Sequence, residues 1–406
     1  MKFLWQSATL RTVGVYTASG FGFAGANLIL ARVLPAVEYG LVTLVIALVN
    51  LGFSLATLGL DGVVNRRHVE AGPDLLRRSA GAALVVGLGL AATGFLLYKL
   101  SLAIVLAIFV CTVAGGIMMV AAAKFQSEQR FGISLSLSQS PNLVLLVAAL
   151  ILVLTGSRTA WHPIAILAAG FVVAAVIGWW LLRCGRWERI STAEFSWTEA
   201  LSFAGLNAAG LILLQLDRLL IPHLLSVQDL ATYGVLAAIA GSLFRMLSLG
   251  VGYTLVPQLR AADSVGERRR LISREARLVS VVLVAGVAAL WLITPWIERW
   301  VLADKYHLSW ALLLAAIISG MVRVTNAFTK SVVSALATTS ELAWINVLGW
   351  GAVALAVVAA FGGARWGLAG VIYGVTMGGV MRALTALYFA VRHLRLPRAI
   401  PATAAR

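Results

Sequence analysis

The chain has 406 residues, 61% hydrophobic and only 12% charged, with a mean hydropathy of +0.93. No soluble domain of this size reads that way, and apolar runs of about 20 residues mark membrane-crossing helices. The formal net charge of +16 has no soluble basic domain to carry it, which excludes a nucleic-acid partner and leaves membrane topology as its source.

Met1 to Arg11 and the apolar run behind it have the outline of a signal peptide. The run from Thr12 to Leu34 is too long for one, so it is read as an uncleaved first helix. Eleven more spans follow, at 40–60, 79–98, 101–123, 134–155, 162–182, 200–224, 231–257, 277–297, 308–332, 342–362 and 367–391. A bilayer span must satisfy its own backbone, so all twelve are expected to be helices. The longest loops are 61–78, 183–199 and 258–276, and Ala261–Arg277 is expected to be partly helical at the inner surface.

Charge sets the orientation. With the N-terminus inside, inner segments carry 22 of the 32 Lys and Arg, outer segments carry six, and four lie inside spans. Both termini are therefore expected in the cytoplasm. A faint repeat runs at an offset of 194: Tyr39-Gly40 opens span two, Tyr233-Gly234 opens span eight, and Arg66 matches Arg260. It implies two six-helix lobes, 1–190 and 191–406, around a central cavity, one of the repeat plans of secondary transporters.

The four intramembrane arginines are Arg218, Arg245, Arg323 and Arg382. A lipid-exposed arginine near the bilayer centre costs about 2.5–3.5 kcal/mol on insertion scales. A chain that keeps four is expected to enclose a wet, cationic cavity suited to an anionic cargo. Lys124 and Lys330, at the inner ends of spans four and ten, are placed to guide an anionic head group inward. Asp217 lies well inside a span. Its helix neighbour Arg218 does not face it, so it is expected to pair across helices, and it is the candidate for ion coupling.

Other patterns carry less. Gly20, Gly22 and Gly25 spell a dinucleotide-type motif, but inside an apolar helix they serve close packing or a bend. Cys111 and Cys184 and the five histidines have no metal-ligand or disulfide spacing. No phosphate-binding loop for ATP is present. No cofactor is expected.

The segment LARVLPAVEYGLVTLVIALVNLGFSLATLGLDGVVNR, Leu30 to Arg66, resembles the first helices of bacterial polysaccharide transporters. These are the Wzx-type lipid-linked oligosaccharide (O-antigen) flippases of the multidrug/oligosaccharidyl-lipid/polysaccharide (MOP) exporter superfamily. Arg32, Leu34, Pro35, Tyr39, Gly40, Leu58, Gly59, Asp61 and Arg66 carry the likeness. So do LDRLLIPHLLSVQDLATYGVL and TLVPQLR in the second half, although Pro222-His223 departs from the family pattern. The resemblance implies a two-lobed, twelve-helix protein of the bacterial inner membrane. It would move an undecaprenyl-pyrophosphate-linked oligosaccharide between leaflets by alternating access, alongside polysaccharide polymerase machinery. The alternatives are a drug or peptidoglycan-precursor exporter of the same superfamily, or a membrane polymerase or ligase. The last needs catalytic groups on a sizeable outer loop, and the outer loops here are short.

Overall fold

A computed structural model describes residues 8–67, 69–185, 187, 196–262 and 264–395. Twelve long helices and one short one account for nearly all of them: α1 (Ala8–Val33), α2 (Ala36–Leu55), α3 (Leu60–Arg67), α4 (Pro73–Leu96), α5 (Leu102–Ser127), α6 (Phe131–Thr155), α7 (Trp161–Arg183), α8 (Trp197–Leu224), α9 (Val227–Ala261), α10 (Val265–Trp296), α11 (Trp310–Leu336), α12 (Thr339–Gly363) and α13 (Gly367–Arg395). Each expected span coincides with one long helix. Nine helical segments among the described residues are long and apolar enough to cross a membrane, one of them running over both α12 and α13. Exposed Leu88, Leu154, Val176, Trp180, Val284, Leu292 and Phe361 give those helices an apolar outer surface, as lipid contact requires.

Two features differ from the sequence reading. The short helix α3 occupies what reads as loop, because eight residues with two terminal arginines give no span signal. Second, the basic segment after residue 261, expected to be partly helical, is helical from Val265 onward, but it is continuous with its span rather than a separate loop. Ser264 caps it by accepting from the Glu267 amide. Of the basic residues used for orientation, Lys2, Arg186, Arg189, Arg398 and Arg406 lie outside the described residues, as does the 190–191 lobe boundary.

Helix neighbours recur. Within the first six spans α1 packs on α6, α2 on α5, α5 on α7 and α6 on α7; later, α8 packs on α12, α9 on α11, α11 on α13 and α12 on α13. Between the sets, α2 meets α9, α1 meets α9 and α2 meets α8. Gly40 and Gly234 lie at this central seam: a Cβ on Gly40 would run into the Val227 carbonyl, and one on Gly234 would meet Thr43 at 2.6 Å. The seam is close because both positions lack a side chain.

Small residues also set the α12–α13 contact. Gly370, Gly374 and Gly378 recur every fourth residue and approach Gly363, Ala359 and Ala352 backbone to backbone, the small-residue packing that membranes favour. At the α2–α3 junction, Leu58 and Gly59 both have positive φ, 44° and 81°. A Cβ at Gly59 would strike the Ala200 carbonyl of α8, so glycine is required there by both dihedral and space. Gly22 and Gly25 face Leu143 and Leu146 of α6, which makes the motif in α1 a packing surface.

Candidate functional site: a central cavity

A cavity of about 510 Å³ lies between the two sets of helices. Its walls come from α1, α2, α3, α5 and α6 on one side and from α8, α9, α11 and α13 on the other. It reaches Asn65, Gln126 and Phe131, at the ends of their helices on the face where the described chain begins and ends; we call this the terminal face. Its deep end holds Gln215, Arg218, Tyr233 and Arg323.

The deep end is a charged network. Asp217 is 1% exposed and ion-pairs across helices with Arg323 of α11. Tyr233 donates its hydroxyl hydrogen bond to Asp217 Oδ2 at 2.7 Å, and Arg323 donates to the Tyr233 oxygen at 3.5 Å. The other carboxylate oxygen, Oδ1, is buried without a partner. Arg218 projects into the cavity and donates to Gln215 Oε1 at 3.3 Å. Two arginines and one carboxylate leave one net positive charge at the deep end. A guanidinium with open donors is well suited to phosphate, which it meets with charge-assisted hydrogen bonds.

The opposite wall is polar and carries one acid, Asp61 of α3, which accepts from the Thr57 hydroxyl at 2.9 Å. Ser134 and Ser138 of α6 line it with Gln139, and Asn142 continues the same helix face. Ser19 of α1 donates to Gln139 Oε1 at 2.8 Å, while Asn142 donates to both Ser19 and Gln139. Asn50 and Ser54 of α2 add further groups. Such amides and hydroxyls suit sugar hydroxyls. The sequence reading missed the α6 stripe. Its signal was present, since Ser134, Ser138 and Asn142 recur every fourth residue.

The other sequence-based candidates fall elsewhere. Lys124 is turned to Glu128 at 3.4 Å, one turn along α5, and does not line the cavity although Ala122, Ala123 and Gln126 do. Arg382 is 9% exposed and packs its guanidinium on Gly210 of α8, off the cavity wall. Lys330 is also absent from the wall. The single cationic cavity expected from sequence is therefore corrected: depth along a helix is readable from residue count, but the face presented is not. The backbone of Arg245 is on α9, and its side chain lies outside the described residues.

The far end is closed. The Lys305 ammonium, in the loop before α11, donates to the carbonyls of Ala31 and Leu34 that end α1. Arg32 donates to the Trp300 carbonyl at 3.2 Å, and the Tyr39 and Tyr306 rings meet edge to face. Partial burial pulls the Lys305 pKa below the ordinary lysine value. At the terminal face, Arg66 and Arg67 of α3 pair with Glu199 of α8.

Residues 4–257 match the family described as "Polysaccharide biosynthesis protein", more than half of the chain. The chain belongs to that family. No curated protein sequence matches it. Among solved structures, the chain is similar to an inward-facing multidrug resistance MATE transporter of the MOP superfamily, with a TM-score of 0.68 at 12% identity over 96% of this chain and 98% of that one. An outward-facing MATE transporter of the same superfamily gives 0.60 at 12% identity over 97% of each. A Vibrio cholerae MATE transporter gives 0.57 at 15% identity over 97% of each. What these share with the family member described here is the fold of a multi-pass, all-helical membrane protein.

Proposed function

We propose that this protein is a flippase that carries an undecaprenyl-pyrophosphate-linked oligosaccharide across the bacterial inner membrane by alternating access, for synthesis of surface polysaccharide such as O-antigen. The observation that carries this reading is the cavity, cationic at its deep end through Arg218 and Arg323 and lined on the opposite wall by amides and hydroxyls, with Asp61 as the one acid on its lining. Pyrophosphate and sugars cross hydrocarbon only at great cost. The deep arginines would receive the pyrophosphate, the α6 wall would receive the sugars, and the polyprenyl tail would stay in lipid.

In this reading the chain works as two lobes, 1–190 and 191–406, with both termini in the cytoplasm. The positive-inside count supports that orientation, and the cavity then faces the cytoplasm, where the lipid-linked unit is assembled. Family membership supports a role in polysaccharide production. The rival within the superfamily, an exporter of cationic drugs, wants unpaired acids in its cavity; here Asp217 at the deep end is paired with Arg323, and the lining arginines Arg218 and Arg323 outnumber the lining acid, Asp61. Asp217 is the residue we assign to ion coupling, because its Oδ1 is unpartnered and would take a proton or cation when Arg323 is drawn to cargo.

The test is lipid-linked glycan analysis, resolved by leaflet, in cells lacking the protein. Completed undecaprenyl-pyrophosphate oligosaccharide held on the cytoplasmic side is the expected result. Short repeat units accumulating on the periplasmic side would indicate a polymerase or ligase instead, and no accumulation would return the drug exporter to the front.

A further inference from the structure

Two cations stand apart from the cavity. Arg382 of α13 is more than nine-tenths buried, and its guanidinium lies so close on α8 that a Cβ at Gly210 would collide with it. Lys330 of α11 is exposed and lies one helical turn beyond Asn326 on the same helix face. Among the described residues neither has an ion-pair or hydrogen-bond partner.

The helices that carry them supply no acid, and the acids nearest in the fold are Glu267 and Glu275 of α10, which packs on α11 and α13. α11 and α13 contain no Asp or Glu, and α9 has only Asp229, in its first turn. The acids of α8 and α12 are engaged elsewhere: Glu199 with Arg66 and Arg67, Asp217 with Arg323, Glu341 with Arg392 and His393. A buried guanidinium such as that of Arg382 is costly in a membrane unless something anionic meets it.

The surroundings are poised for hydrogen bonding as well. Gly379 of α13 faces Val322 of α11. One turn further along these parallel helices come Arg382 and Asn326, so they share a level. Asn326 Oδ1 is buried without a partner, as is Asn346 Oδ1 on α12; Asn346 lies against Gly205 of α8. A half-turn of either amide exchanges its acceptor for a donor.

We propose that Lys330 and Arg382, with Asn326 beside them, form a second anion subsite that takes the phosphate of a lipid. It is not the Arg218 site seen from another side. Gly210, which marks Arg382, is eight residues from Arg218 on α8, about 12 Å at 1.5 Å per residue, farther than one pyrophosphate spans. The phosphate comes either from a bilayer phospholipid or from the polyprenyl carrier as it enters. The subsite therefore stands whether or not the cargo is a lipid-linked oligosaccharide.

The test uses the purified full chain in detergent, titrated separately with short-chain phosphatidylglycerol and with undecaprenyl pyrophosphate, binding being read by native mass spectrometry and thermal shift. Lys330→Met with Arg382→Met is expected to weaken at least one ligand tenfold or more, while Arg382→Lys keeps most of the binding. Loss confined to phosphatidylglycerol identifies bilayer lipid as the source, and loss confined to undecaprenyl pyrophosphate identifies the carrier. Undiminished binding of both ligands to the double variant overturns the subsite. If that variant does not fold, the titrations are run on Arg218→Ala protein: saturable stabilisation by either ligand supports the subsite, and none overturns it.

Discussion

The two ends of the central seam are built alike and charged differently. In the first half, Tyr39 of α2 points its hydroxyl at Asn27 of α1, 3.4 Å away. In the second, Tyr233 of α9 points its hydroxyl at Asp217 of α8, 2.7 Å away. The tyrosines are the matched pair of the 194-residue repeat, and both polar partners sit on the preceding helix. Where the first half closes the contact with a neutral amide, the second uses a carboxylate and then needs Arg323 to hold it. The neutral version shows that this packing can be made without charge. The ionic version therefore goes beyond what this packing requires, and the coupling role proposed for Asp217 rests on that surplus.

The strongest way to break that comparison is Asp217→Ala. It would leave Arg323 unpaired, and breaking a buried pair costs roughly 3–5 kcal/mol. Arg323 is 33% exposed to the cavity, so about 2–3 kcal/mol is expected after solvent screening. Asn27→Ala should cost only about 1 kcal/mol, the worth of a neutral hydrogen bond. Unfolding in detergent compares the two, and equal losses would end the distinction.

Next comes transport. Arg218→Ala is expected to lower flipping by about 10- to 100-fold, matching the roughly 1.5–3 kcal/mol of a charge-assisted hydrogen bond, with protein levels unchanged. Reconstituted vesicles with a fluorescent lipid-linked glycan would show it; full activity would remove the cationic deep end from the mechanism.

The glycines sharpen the comparison at smaller scale. Gly40→Ala drives a methyl into the Val227 backbone, whereas Gly234→Ala meets the Thr43 and Tyr39 side chains. Overpacking costs about 1–3 kcal/mol, and Gly40 should lie at the upper end because backbone yields least. Thermal unfolding that ranks Gly234→Ala as the worse would contradict the seam as described.

The smallest effect is a pH effect at the terminal face. Burial raises the pKa of Glu341, but the Thr338 amide, His393 and the Thr338 hydroxyl together outweigh it, leaving the carboxyl below the ordinary glutamate value. A lowered carboxylate stabilises the fold above its unfolded pKa and loses that contribution as pH falls through its folded one. Wild type should therefore melt higher than Glu341→Gln at neutral pH, and the gap should close below about pH 4. A gap that persists in acid would show that the carboxylate is not what ties α12 to α13.

The spans were legible in sequence because hydropathy and residue count are one-dimensional quantities. The pairing of Asp217 was legible because adjacent helical residues cannot face each other. The faces of Lys124, Lys330 and Arg382 were not, since a quarter-turn of a helix leaves composition unchanged. The α6 stripe was hidden for another reason: serine is so mild on a hydropathy scale that Ser134 and Ser138 barely dent an apolar run. Helix α3 was too short and too basic to register, yet its arginines tie the first half to Glu199 of the second.

One contact at the far end bears on tempo. Lys305 reaches from the second half to cap the final carbonyls of α1 in the first. Helix ends need partners for those carbonyls, and water is an adequate substitute. In the proposed alternating access, parting of the far face would release an ammonium and two carbonyls together into solvent that receives all three well. Under that proposal the clasp would work as a light detent, setting where the molecule rests without making departure from that position slow.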